Sequence, residues 1–155
     1  NPAETEAHAA LERARKVERA QLRLAALDDV VWKHPDTAAA RTAAGERDRL
    51  RAELDERLRA AARDLDARIA ALLAREEFGE ALRVVEHAAG TVDAPRWPDE
   101  LGRRTREVRE RAERLYAEVR EKAVDAEGLR AAAARIRTWG VRALTERIER
   151  DLRGR

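Results

Sequence analysis

Between Leu50 and Leu72 an apolar residue returns every three or four positions: Leu50, Leu54, Leu58, Ala61, Leu65, Ile69 and Leu72. That spacing lays one apolar stripe along a long helix and is incompatible with the two-residue alternation of a half-buried strand. Similar stripes fill most of the chain. Ala10, Val17, Leu24 and Val31 stand seven apart, with Ala7, Ala14, Ala20 and Leu27 on the same face. They predict one amphipathic helix from Thr5 to Trp32. Leu101, Val108 and Leu115 are also seven apart, each followed four residues later by Thr105, Ala112 or Val119. No segment alternates, so the predicted fold class is all-α.

Proline and glycine divide these stripes. His34-Pro35 ends the first helix, because the residue before a proline is pushed out of the α region, and Asp36 or Thr37 can cap the next. A second helix is predicted from Thr37 to about Arg75, with Gly45 as a candidate kink. A shorter one carries Leu82, Val85 and Ala89 and closes at Gly90. The main internal loop, 90–98, holds Pro95 and Pro98. A third long helix opens at Asp99 and is interrupted at Gly128. Two short ones follow, one ending at Gly140 and one carrying Leu144, Ile148 and Leu152. The expectation is a single all-helical domain over residues 1–155, arranged as a bundle of long antiparallel helices with shorter ones. The start at Asn1 and the lack of any Met fit an excised or processed part of a longer protein.

What such helices can bury is limited by composition. Half of the apolar residues are alanine, and only Trp32, Phe78, Trp97, Tyr116 and Trp139 offer large aromatic volumes. The core must therefore be thin, with helices approaching across small side chains. Ser and Cys are absent, which removes the usual hydroxyl and thiol nucleophiles, disulfides and thiolate metal sites. His8, His34 and His87 form no Glu-x-x-His or His-Glu-x-x-His pattern, although Glu4 and His8 share a helix face. No glycine pattern matches a phosphate-cradling loop. Catalytic, cofactor and metal residues are therefore expected to be none, and the chain is not expected to be an enzyme. No apolar run reaches the roughly 18 residues of a membrane span, and no signal peptide precedes the helices. A soluble protein, cytoplasmic or extracytoplasmic, is expected. Arg outnumbers Lys by 30 to 3, a usage associated with GC-rich bacterial genomes.

The segment from Glu77 to Ala88, Glu-Phe-Gly-Glu-Ala-Leu-Arg-Val-Val-Glu-His-Ala, resembles the second half of a tetratricopeptide-type helical hairpin. Phe78, Ala81, Val85 and Ala88 match that family's aromatic and small positions, best over residues 65–90. Ile69 stands where the family prefers a small residue, and shifts of 34 residues from Phe78 reach Ala44 and Ala112, so no repeat array is present. The resemblance implies helical hairpins and a scaffold that binds another protein, without catalytic residues.

The formal net charge of +2 is unevenly spread. Residues 130–155 hold eight arginines, Arg130 through Arg155, against Glu146, Glu149 and Asp151, a local excess of +5. Two functions follow as expectations. The first is a non-enzymatic protein–protein interaction or scaffold module of bacterial type, working through a groove near Phe78 and Trp97 or through the basic end. The alternative is a polyanion-binding module that takes nucleic acid or anionic lipid on the C-terminal helices. Candidate partner-binding residues are Phe78, Trp97, Trp139, Arg135, Arg137 and Arg142. Nucleic acid is the less favoured partner. A homodimer along one of the apolar stripes is compatible with the first reading. Trp32, Trp97 and Trp139 each lie at an element boundary, where they either plug the ends of a thin bundle or, if exposed, anchor a partner.

Overall fold

A computed structural model describes residues 1–154; Arg155, one of the eight C-terminal arginines, lies outside the described residues. The described residues form seven helices and no strand. The helices are α1 (Pro2–Arg15), α2 (Ala20–Lys33), α3 (Ala38–Ala74), α4 (Phe78–His87), α5 (Trp97–Lys122), α6 (Ala126–Thr138) and α7 (Arg142–Arg153). Contacts gather into two compact units, one of residues 1–61 with 92–95, the other of 62–91 with 96–155. The division falls within α3.

In the first unit α1 and α2 form a hairpin. The single helix expected from Thr5 to Trp32 is therefore corrected: it stops at Lys16 and restarts at Ala20. Folding back turns Ala7, Leu11 and Ala14 of α1 and Leu27 and Val30 of α2 toward one core, shared with Ala39, Ala43, Leu50 and Leu54 of α3. One straight helix would spread those faces over twice the length and bury less of each. The turn needs neither glycine nor proline. Lys16 (φ −84°, ψ −8°) and Arg19 (φ −72°, ψ 123°) hold conformations open to any residue.

The helix ends of this unit are satisfied partly by remote groups. Asn1 Oδ1 accepts from Ala3 N–H at 3.0 Å. Thr37 Oγ1 accepts from Ala40 N–H at 3.0 Å, which makes Thr37 the cap of α3. Glu4 of α1 accepts from Ala38 N–H at 3.1 Å, so the carboxylate beside His8 is already engaged. Asp93, from the loop, accepts weakly from Gln21 N–H at 3.4 Å at the start of α2. Arg15 bonds Glu46, and Arg47 bonds Asp28 at 3.1 Å, tying the hairpin to α3.

The second unit holds the end of α3 and α4 through α7, with α4 on α5, α5 on α6 and α6 on α7. α3 ends in a Schellman turn: Glu77 N–H donates to Leu72 O at 2.9 Å and Glu76 N–H to Leu73 O at 3.1 Å. α5 begins at Trp97, two residues before the expected Asp99, with Pro98 in its first turn. The break after α5 falls at Ala123–Asp125, ahead of the expected Gly128. Gly128 instead sits in the first turn of α6 and donates its N–H to Asp125 Oδ1 at 2.6 Å. A Cβ there would stand 3.0 Å from that same oxygen, so glycine leaves room for the cap.

Candidate interaction surfaces

Four of the six residues expected to meet a partner are structural. Phe78, Trp97 and Trp139 are at most 2% exposed, which corrects their reading as surface anchors. They plug helix ends, as their boundary positions also allowed. Phe78 and Trp139 meet edge to face, with ring centroids 5.2 Å apart. Trp97 Nε1–H donates to Ala88 O at 2.8 Å, a carbonyl just past the end of α4 that also accepts from Thr91 N–H and Oγ1–H. Next to the Phe78–Trp139 pair, Gly79 N–H donates to Trp139 O at 2.7 Å. A Cβ on Gly79 would lie 2.3 Å from Gly140 O, so no side chain fits.

Glu76 completes this knot. It is held at φ 58°, where glycine would be the favoured residue, and its carboxylate reaches two groups of the second unit. Oε2 accepts from Arg135 Nε–H at 3.0 Å and from Trp139 Nε1–H at 3.1 Å. Arg135 holds the Glu76 carboxyl below the usual glutamate range. Arg135 is thus the fourth structural residue, tied to Glu76 by a surface ion pair while its side chain stays 48% exposed.

The remaining two candidates are paired more loosely. Arg137 bonds Glu149 at 3.2 Å, and Arg142 bonds Glu146 at 2.7 Å while its side chain remains 92% exposed. Arg147 bonds Glu113 of α5 and lies over the Tyr116 ring, 4.3 Å from its centroid. Carboxylates supplied by the α3–α4 turn and by α5 therefore meet part of the basic excess of α6 and α7. Arg130, Arg150 and Arg153 have no ionic partner among the described residues.

Arg104 is the buried charge of this unit, 3% exposed. It donates to both Asp66 oxygens at 2.7 and 3.0 Å and to Glu100 Oε2 at 2.7 Å, a bidentate fork closed by a third bond. The carboxyls of Glu46, Glu76 and Glu100 all move downward, and an arginine is the leading cause each time. These are the shifts of structural ion pairs and leave no carboxyl poised as an acid among them. No group of three or more His, Asp or Glu side chains that could hold a metal is present among the described residues. No described helix is long and apolar enough to cross a membrane.

No family model matches this chain, and neither a curated protein nor a solved structure does.

Surface hollows lie in both units among the described residues. In the second unit, Leu73, Ala74 and Leu115 floor a hollow of about 530 Å³ beside Phe78, rimmed by Arg111, Arg114 and Glu118. A second, of about 560 Å³, lies between α6 and α7 against Leu129 and Leu152, with Arg130 and Arg137 at its edge. The third belongs to the first unit. It is a groove of about 330 Å³ between α1 and α2, lined by Ala10, Ala14, Ala26 and Val30 and edged by Glu6, Arg13, Asp29 and Lys33. On α2, outside the lining of this groove, Trp32 is 87% exposed, the only aromatic side chain among the described residues that faces water. Leu22, on the same helix, is 54% exposed. Of the three boundary tryptophans, Trp32 is the one that meets the condition of exposure for a partner anchor. Its register carried the signal, since at about 100° per residue it lies some 200° around the helix from buried Val30.

Proposed function

We propose that this protein is a non-enzymatic helical module that binds another polypeptide, and that its binding face is the α1–α2 hairpin around Trp32. The exposed indole carries this reading. A tryptophan left in water forgoes the stabilisation its burial would supply, and tryptophan is enriched among the residues that dominate binding energy. The other four aromatics lie inside the second unit, so the exposure of Trp32 is local to this hairpin. The tetratricopeptide resemblance points to the same class of function, as does a sequence without Ser or Cys nucleophiles. A bacterial scaffold protein is the biological setting this composition favours.

Peptides selected from a random display library against the folded protein test the reading. They are expected to lose binding by more than about tenfold with Trp32→Ala. Binding should be unchanged in an Arg130→Ala, Arg153→Ala variant. Peptides indifferent to Trp32 would refute the reading. The hollow between α6 and α7, with unpaired Arg130 at its edge, supports a weaker second reading as a polyanion site. That reading requires retention on an anionic column that falls steeply with salt and is lost in the Arg130→Ala, Arg153→Ala variant.

A further inference from the structure

The α1–α2 groove combines two features that fit one occupant. Its floor is apolar and made of small side chains, and its charged edge sums to zero, with Glu6 and Asp29 against Arg13 and Lys33. A neutral edge of mixed sign gives no attraction to a polyanion or to a strongly charged peptide. Asp29 and Lys33 already satisfy each other at 2.8 Å. Glu6 and Arg13 do not: neither has an ionic partner among the described residues.

Their positions are complementary to themselves. Glu6 and Arg13 stand two turns apart on α1, symmetric about the point between Ala9 and Ala10. When a second α1 crosses antiparallel at that point, Glu6 of each copy falls beside Arg13 of the other. Both unpaired charges are then satisfied twice by one two-fold axis. Alanines at the crossing let the two backbones approach closely. From this symmetry we infer that the occupant of the α1–α2 groove is a second copy of this chain, docked face to face through the same groove. This rests on the proposed function, since it names the partner of the same hairpin.

The size of the face fixes the strength. α1 and α2 are 14 residues each, about 21 Å long at 1.5 Å per residue. Two such helices side by side, about 9 Å apart, present roughly 400 Å² per copy, or about 800 Å² in total. That falls below the range of about 1,200–2,000 Å² for stable interfaces. The dimer is therefore weak and forms only as concentration rises.

Sedimentation velocity across the micromolar to millimolar range tests this with charge reversals. Glu6 and Arg13 are exposed helix positions, so Glu6→Arg and Arg13→Glu leave the fold intact, which circular dichroism verifies. The unmodified chain should pass from monomer to dimer. Each single reversal places like charges together and should weaken the dimer by more than about tenfold. An equimolar mixture of the two single variants should recover it as a heterodimer, and so should the double reversal in one chain. A chain that stays monomeric at millimolar concentration overturns the inference. So does a dimer indifferent to the single reversals, or a mixture that fails to recover association. A monomer whose selected peptides still depend on Trp32 removes only the second copy as partner. Peptides indifferent to Trp32 remove the functional reading itself.

Discussion

The two units use their large side chains in opposite ways. The second unit buries Phe78, Trp97, Tyr116 and Trp139, and it satisfies both indole N–H groups internally. The first unit builds its core from alanine, leucine and valine and leaves its one aromatic, Trp32, in water. Both obey the same rule of helical burial, so hydrophobicity alone does not explain the difference. In the second unit aromatics fill the spaces at helix ends. In the first, alanine, leucine and valine fill the core and Trp32 stays outside it.

Substitutions that break this contrast are expected to differ in size. Trp139→Ala removes the edge-to-face pair with Phe78 and the bond to Glu76, and should cost about 3–5 kcal/mol in urea unfolding. Gly79→Ala comes next. Its methyl would meet the Gly140 carbonyl oxygen, a backbone atom that cannot step aside, and a loss of about 3 kcal/mol is expected from the same measurement. Arg104→Ala should cost about 2 kcal/mol, less than a fully buried pair would, because Asp66 keeps half its surface in water. Trp32→Ala should change stability by no more than about 0.5 kcal/mol. A large loss there would mean that the first unit depends on its tryptophan as the second does.

Acid sharpens the comparison further. Arg135 lowers the Glu76 carboxyl in the folded state, so this pair stabilises the fold above the ordinary glutamate value of 4.5. That stability is lost as pH falls below 4.5 and through the lowered folded value. Glu76→Gln keeps an acceptor for the Trp139 N–H but removes the titration. Its stability should fall less steeply than that of the unmodified protein below 4.5. Glu46 and Glu100, which Arg15 and Arg104 hold in the same direction, contribute to the slope that remains.

Much of the helical architecture was legible because periodicity and punctuation agree. The stripe from Leu50 to Leu72 lies on α3, His34-Pro35 ends α2, and Gly140 closes α6 at φ 70°. The turn at residues 16–19 was illegible for the opposite reason. Its backbone angles suit any residue, and the heptad through Val17 reads on unbroken. At Gly128 the punctuation misled, because that glycine serves a cap and the chain breaks at Ala123–Asp125. Of the site, the basic end was visible as a charge count, but its pairing was not. Glu76 and Glu113 are distant in sequence from Arg135 and Arg147, and only folding brings them together. The exposure of Trp32 required the register of α2, which the single long helix had concealed.

The proposed function requires Trp32 to meet the partner while Trp97 and Trp139 stay buried. Fluorine NMR of protein labelled with fluorotryptophan tests this in one experiment. The three tryptophans should give three resonances, assigned by Trp32→Phe, Trp97→Phe and Trp139→Phe, with a solvent-isotope shift at Trp32 alone. On addition of a selected peptide, or on raising the protein concentration, the Trp32 resonance should move while the other two hold still. Movement of the Trp97 or Trp139 resonance with Trp32 unchanged would contradict the account.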